Sequence, residues 1–161
     1  MKTLLTSAKP SYLNLLVILT ATLASLPLTT EAEPSVSAAI TINSEKPLGP
    51  ALGTFSTTGA FSDSGILVTE SRVVSAIPSP FGVVSHFKLR FEGTLGTFTI
   101  RTQITETVTD DGSIFLNEGV WDIVDGTGAY STLHGTGDIE GTVDDESNLI
   151  TRIYTGMVRL K

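Results

Sequence analysis

Apolar and polar residues alternate along most of the chain after residue 52, as they do in β-strands that bury one face. In the segment 83–93, for example, Phe87, Leu89 and Phe91 fall on one face and charged residues fall on the other. Beyond the N-terminal segment, no window repeats apolar residues at helical spacing. The pattern therefore predicts an all-β protein.

Turn residues divide this pattern into about eight strands. The predicted strands are a possible first one at 39–43 and then 55–61, 65–76, 83–93, 97–109, 113–124, 130–142 and 149–160. Short turns separate them, such as Ser62-Asp63-Ser64-Gly65 and Asp110-Asp111-Gly112, and no long crossover connection is present. Consecutive hairpins favour a closed eight-stranded antiparallel up-and-down barrel over a two-sheet sandwich. A barrel of this size has room for its own side chains or for one small ligand.

The N-terminal residues carry the features of a secretory signal peptide. Lys2 and Lys9 supply a positive start, an apolar run follows at 12–26, and Thr30-Glu31-Ala32 has the small residues of a cleavage site. The alternative is a retained membrane anchor. However, the apolar run of about 15 residues is shorter than the roughly 20 that a spanning helix needs, and Pro27 follows it at once. Cleavage is therefore favoured over anchoring.

The expected organisation is a signal peptide, a leader and one domain. The signal peptide covers 1–32, a flexible leader with the possible first strand covers 33–52, and the β-barrel domain covers 53–161. Such a protein is secreted or periplasmic. The chain has no cysteine, so it must rely on packing and ladder hydrogen bonds, and a thiol nucleophile or thiolate metal site is excluded.

The mature chain is acidic. Without the signal peptide it keeps eight basic and sixteen acidic residues, a net charge of about −8. Nucleic acids and anionic membrane surfaces are bound by basic patches, so the composition argues against both as partners. We expect no stable membrane insertion after signal cleavage, and the sequence leaves homo-oligomerisation open.

The segment 121–141 carries the most distinctive pattern. It reads Trp-Asp-Ile-Val-Asp-Gly-Thr-Gly-Ala-Tyr-Ser-Thr-Leu-His-Gly-Thr-Gly-Asp-Ile-Glu-Gly, in which a strand ends in a Gly-Thr-Gly turn, an aromatic residue follows and a Gly-x-Gly strand comes next. It resembles the allene oxide cyclase barrel-like and dirigent superfamily, and 91–98 and 154–156 are similar to the same pattern. The resemblance covers roughly residues 53–160.

This resemblance implies a calycin-like, eight-stranded barrel that holds a small hydrophobic molecule and works without a cofactor. Members include plant fatty-acid-epoxide cyclases, dirigent proteins that steer radical coupling, and bacterial spirocyclising enzymes. The cysteine expected in the plant cyclase pocket is absent here, so the resemblance does not carry that activity over.

Carboxylates on otherwise apolar strand faces are the candidate catalytic residues. The two-residue period places Glu70, Glu106 and Glu118 on such faces. A carboxylate there is costly unless it is paired or protonated, and inside a ligand cavity it could orient a substrate or act as a general acid or base. The alternatives are that these faces point outward, or that the carboxylates form cross-strand ion pairs, for example Glu70 with Arg101.

Candidate ligand-binding residues are those that would line the same cavity or its mouth. They are Arg72, Arg101, Trp121, Tyr130 and Tyr154. Each of the three aromatic residues is more often a core residue than a ligand contact.

We expect neither a metal nor a cofactor. His86 and His134 are the only histidines, fall on different strands and have no second ligand at metal spacing. The Gly-Thr-Gly turn at 126–128 is followed by Ser131 instead of the third glycine of a dinucleotide-binding loop, and no helix follows. The acidic residues at 144–146 lack the spacing of a calcium loop.

Three functions fit these observations. The first is a carrier of a small hydrophobic molecule. The second is a cofactor-free cyclase or isomerase, which needs a shaped cavity and one or two polar groups instead of a catalytic triad. The third is a structural or interaction barrel whose interior is filled by its own side chains.

Overall fold

The computed structural model describes residues 37–76, 82–109 and 114–159, and these form a closed barrel. Eight strands follow one another around the barrel in chain order, each antiparallel to its neighbours. They are β1 (Ser37–Pro47), β2 (Gly53–Gly59), β3 (Asp63–Ala76), β4 (Gly82–Gly93), β5 (Thr97–Val108), β6 (Ile114–Gly126), β7 (His134–Asp144) and β8 (Leu149–Arg159), with a short 3-10 helix at Gly128–Tyr130 before β7. The prediction of an all-β, eight-stranded antiparallel up-and-down barrel is confirmed.

β1 closes the barrel. It pairs with β2 on one side, where Ile42 lies opposite Thr57, and with β8 on the other, where Ile42 lies opposite Tyr154. Burial alternates along its second half, from buried Ile40 to buried Lys46, as expected for a strand with one face inside. The barrel therefore begins with β1, before residue 53.

An aromatic cluster fills one end of the barrel, which we call the closed end. The rings of Phe91 and Phe98 are stacked with centroids 4.7 Å apart, and Phe55 meets both edge-on. Tyr130 and Phe61, from the connections at this end, pack against Phe98 at 5.2 and 6.1 Å. Edge-to-face and offset contacts of this kind stabilise a core beyond the area they bury.

The opposite end, which we call the open end, is bordered by the β1–β2 loop at 48–52 and the β7–β8 turn at 145–148. The other two connections that join strands here, 77–81 and 110–113, lie outside the described residues. So does the predicted signal peptide at 1–32. Within the described part of the chain, no helix is long and apolar enough to span a bilayer.

A β-bulge in β3 changes which side chains face inward. The register with β4 shifts between Thr69 and Ser71, so Glu70 is the extra residue of the bulge. Thr69 and Arg72 both line the interior as a result, although strict alternation places them on opposite faces.

Six strands begin one to four residues from the predicted position, and for β3 and β7 the structure shows the cause. β3 begins at Asp63, inside the predicted turn at 62–65, because the Asp63 side chain accepts hydrogen bonds from the backbone amides of Thr94 and Leu95 in the neighbouring connection. β7 begins at His134 instead of residue 130, because the 3-10 helix occupies the residues before it.

Candidate functional site

The open end of the barrel contains a cavity of about 680 Å³. Small-molecule pockets commonly have volumes of roughly 300–1,000 Å³. Its apolar wall is formed by Leu48, Val74, Val83, Phe87, Phe115, Val143 and Ile150. Its charged lining residues are Lys46, Arg72, Glu106, Asp145 and Arg152. The cavity thus combines an apolar wall with five charged side chains.

Arg152 is the most deeply buried of these charges. The residue is only 3% exposed, and its guanidinium carbon lies 4.8 Å from the centre of the Phe87 ring. Its Nη2 donates a hydrogen bond to Asn117 Oδ1 at 3.3 Å and lies 4.0 Å from Glu106 Oε1. Its Nε has no hydrogen-bond partner among the described residues. Arg152 therefore provides a buried positive charge at the base of the cavity, which we call its floor. Only some of its N–H donors have partners among the described residues.

Arg72 stacks on the same aromatic ring. Its guanidinium carbon lies 5.4 Å from the centre of Phe87, so this ring contacts two cations. Its Nη2 lies 3.3 Å from both Ser85 Oγ and Glu106 Oε2. The Arg72 side chain is 49% exposed, so it lies where the cavity meets solvent.

Glu106 lies between the two guanidinium groups. Its residue is 6% exposed, and one carboxylate oxygen faces Arg72 while the other faces Arg152. Regular alternation along β5 puts Glu106 on the same inward face as Ile104 and Ile100, as the sequence analysis expected for its strand face. A buried carboxylate needs such partners, because an unpaired one costs several kcal/mol.

Lys46 adds a third cation at the end of β1. It is 6% exposed, and its Nζ donates hydrogen bonds to the carbonyl oxygens of Pro47 and Gly49, which fastens the β1–β2 loop to the barrel. Burial, and then the nearby positive charge of Arg152, lower the pKa of Lys46. Lys46 and Arg152 are therefore two buried cations that lie close enough to repel each other.

Further polar groups lie beside the floor. Tyr154 is fully buried, and burial raises the pKa of its hydroxyl, although Arg152 and Ser44 oppose that rise. Within the described residues, no group meets hydrogen-bond geometry with the Tyr154 hydroxyl or with Thr102 Oγ1. Buried polar atoms of this kind usually bond to ordered water or to a ligand.

The position of Glu70 corrects the expectation of a cavity role for that residue. Because it is the extra residue of the β3 bulge, it lies on the outer face, where its carboxylate pairs with Lys88 at 2.9 Å and with Arg90 at 3.4 Å. The alternative of a cross-strand ion pair therefore applies to Glu70, although its partners are Lys88 and Arg90 and not Arg101. Arg101 lies outside the barrel and pairs with Asp122 at 2.8 Å.

Glu118 also lies on the outer face. It is exposed, as are its neighbours on that face, Leu116 (46%) and Val120 (54%). The face of β6 that carries Glu118 therefore points outward, which was the alternative to a role in the cavity. Its apolar residues lie on the exterior of the barrel. Glu106 is the one candidate carboxylate of the three that lines the cavity.

Two of the three aromatic candidates are core residues away from the cavity. Trp121 lies across β7 and β8, and its Nε1 donates to the carbonyl oxygens of Asp138 and Thr155 at 3.1 and 3.2 Å. A Cβ at Gly156 would lie 2.7 Å from the indole, so glycine makes room for this ring. Tyr130 belongs to the closed end, whereas Tyr154 lies next to the cavity floor.

Lys46, Phe87, Asn117 and Arg152 are site residues that the sequence analysis did not select. Alternation along β8 contained a signal for Arg152, because it shares a face with Tyr154. Lys46 lay beyond the predicted first strand at 39–43, so its inward direction could not be inferred. Asn117 gave no signal, because a single amide on a strand is common on either face.

The remaining polar motifs are ordinary surface features. His86 and His134 are exposed on separate strands, and no three His, Asp or Glu side chains in the described ranges group as metal ligands. In the β7–β8 turn, hydrogen bonds from Ser147 hold the pKa of Asp144 below its usual value. This carboxylate closes a turn in solvent.

No known protein family, curated protein or solved structure matches this chain.

Proposed function

We propose that this protein binds a small, largely apolar molecule in the cavity at the open end of the barrel. The observation that carries this proposal is the cavity of about 680 Å³, which unites an apolar wall with buried polar groups. A barrel that served only as a structural module would be expected to fill this space with side chains, as the closed end does. The resemblance to the allene oxide cyclase barrel-like and dirigent superfamily supports the same function.

Binding can be tested with N-phenyl-1-naphthylamine, a neutral apolar dye that fluoresces when it leaves water. Two adjacent valines on β3 provide matched variants of similar exposure, because Val74 (50% exposed) lines the cavity whereas Val73 (61% exposed) does not. Val74→Trp should occupy the cavity and weaken dye binding at least about tenfold, equivalent to ~1.4 kcal/mol. Val73→Trp should leave it unchanged. Equal dye affinity in both variants would place binding elsewhere and refute the proposal.

The natural ligand can be sought by native mass spectrometry of the protein purified from its own compartment. A bound molecule of defined mass would identify the chemical class. The same intact mass would show whether residues 1–32 have been removed, which tests the proposed signal peptide and the secreted or periplasmic location.

A second candidate function is a cofactor-free cyclase or isomerase, and the observation that favours it is Glu106. This carboxylate is buried in the cavity, and its contact with Arg72 positions it to orient a substrate or to transfer a proton. Glu106→Gln keeps the size of the side chain and removes its charge. With the ligand identified, this variant should retain binding and lose conversion if the barrel is an enzyme. Unchanged conversion would exclude Glu106 as the acid or base.

A further inference from the structure

We propose that the ligand carries an oxyanionic head group, in the simplest case a carboxylate, which binds at Arg152 and Arg72 while its apolar part lies against the cavity wall. This inference rests on the proposed binding function and specifies the class of molecule.

The first argument is the balance of charge. Among the described lining residues, Lys46, Arg72 and Arg152 are cationic, and the carboxylates are Glu106 and Asp145. Asp145 and the side chain of Arg72 are both exposed at the rim, so the buried lining charges are the two cations Lys46 and Arg152 and the single carboxylate Glu106. Burying charge without a partner is costly, and the described interior is therefore short of negative charge. The protein as a whole is acidic, with a formal net charge of −7, whereas the described lining of the cavity has three cationic and two acidic side chains.

The second argument is the unused donor capacity of Arg152. A guanidinium group has five N–H donors in a planar fork that matches a carboxylate. Among the described residues, the Arg152 side chain stacks on Phe87, donates one hydrogen bond to Asn117, lies 4.0 Å from Glu106 and interacts with the Tyr154 hydroxyl. Its Nε is buried and has no partner within the described chain. An oxyanion is the ligand group that meets this need.

The third argument is the position of Arg72. Its side chain is half exposed and lies 3.3 Å from Glu106, so it can turn toward an entering anion without opening the barrel. The guanidinium groups of Arg72 and Arg152 both stack on the Phe87 ring, so two cations face the same part of the cavity. The apolar residues Val83, Phe115 and Ile150 then line the space for the rest of the molecule.

The experiment compares three ligands with the same twelve-carbon chain. Dodecanoate, dodecan-1-ol and dodecyltrimethylammonium carry an anionic, a neutral and a cationic head group, and each is titrated below its micelle concentration or solubility limit against the bound dye N-phenyl-1-naphthylamine. Dodecanoate should displace the dye at a concentration about tenfold lower than dodecan-1-ol, equivalent to ~1.4 kcal/mol, and the ammonium compound should be the weakest.

Variants then locate the head group. Arg72→Gln should reduce the preference for dodecanoate over dodecan-1-ol severalfold, whereas Arg101→Gln, which removes the same charge from the outer face, should leave it unchanged. Glu106→Gln should increase the affinity for dodecanoate, because it removes the carboxylate that now competes for the two arginines. Both Arg72 and Arg101 have exposed side chains, so their variants are expected to fold.

The outcomes separate the two proposals. If the dye does not bind and no ligand binds, the proposed function fails. If the dye binds but dodecanoate and dodecan-1-ol displace it equally, or the ammonium compound is best, the inference of an anionic head group is overturned while binding stands. A preference for dodecanoate that is undiminished in Arg72→Gln and does not rise in Glu106→Gln would overturn the assignment to this site.

Discussion

Asp63 holds the closed end of the barrel together through a single carboxylate. It accepts hydrogen bonds from the Tyr130 hydroxyl and the Thr94 hydroxyl, both at 2.7 Å, and from the backbone amides of Thr94, Leu95 and Ser64. Burial acts to raise the pKa of Asp63, but these hydrogen bonds outweigh it and hold the pKa far below its usual range. Burial, and then the bond to Asp63, raise the pKa of Tyr130.

Asp63→Asn should therefore destabilise the protein. An amide cannot accept all of these hydrogen bonds, and loss of bonds to a charged group costs about 1.5–3 kcal/mol each before relaxation, so we expect a loss of about 2–3 kcal/mol in the free energy of unfolding. Urea denaturation measures it. Asp122→Asn, which removes an exposed carboxylate paired with Arg101, is the control and should cost less than about 1 kcal/mol.

The same residue predicts a pH dependence. Because the pKa of Asp63 is lower in the folded protein than the value of about 3.9 in an unfolded chain, its contribution is complete well above pH 4 and is lost as the pH falls below about 4. The stability difference between the wild type and Asp63→Asn should shrink over this range. A difference that stays constant from pH 6 to pH 3 would show that folding does not lower the pKa of Asp63.

At the scale of the element, the bulge in β3 decides which residues form the site. Glu70 is the extra residue of the bulge and lies on the outer face, where it pairs with Lys88 and Arg90. As a result Arg72 faces the cavity and stacks on Phe87. If Glu70 were absent, β3 would pair with β4 without a shift of register. Thr69 and Arg72 would then still face the interior, because they would be two positions apart.

Deletion of Glu70 should thus preserve the fold and the cavity. We expect a change of less than about 1 kcal/mol in unfolding free energy, since the lost ion pairs are on the surface, together with unchanged dye binding. Deletion of Val68 on the same strand is the comparison. It either turns Glu70 inward or shifts the pairing of β3 with β2, and should cost several kcal/mol. Equal losses in the two deletions would mean that the bulge does not set the register.

At the scale of the whole molecule, closure by β1 is what makes a cavity. β1 supplies Ile40 and Ile42 to the core and Lys46 to the cavity, and it covers the edges of both β2 and β8. Without it, two strand edges would be left unpaired and the interior would open to solvent along its length.

Truncation tests this role. A chain that begins at Ser35 contains all eight strands and should unfold cooperatively with a midpoint close to that of the longer protein. A chain that begins at Gly53 lacks β1, and we expect it to aggregate or to lose cooperative unfolding, which size-exclusion chromatography and circular dichroism would detect. Cooperative unfolding of the shorter chain at an unchanged midpoint would show that β1 is dispensable.

The sequence by itself predicted an all-β, eight-stranded up-and-down barrel. The alternation of apolar residues and the turn residues between strands depend only on residues that are close in the sequence. The sequence also placed Glu106 on the same strand face as Ile100 and Ile104, because β5 is regular as far as that residue, but only the structure shows that this face points inward. It could not place Glu70 and Arg72, because a bulge reverses the alternation between them and depends on pairing with β4.

Only the tertiary structure decided which residues meet at the floor of the cavity. Arg152 lies 35 positions from Asn117 in the sequence, and the hydroxyl of Ser44, 108 positions away, donates to the backbone carbonyl of Arg152. These residues come together only when the barrel closes. Contacts between residues so far apart in the sequence cannot be predicted from local alternation. For the same reason an acidic sequence does not reveal that Lys46, Arg72 and Arg152 line one cavity, because only the closed barrel brings these three cations together.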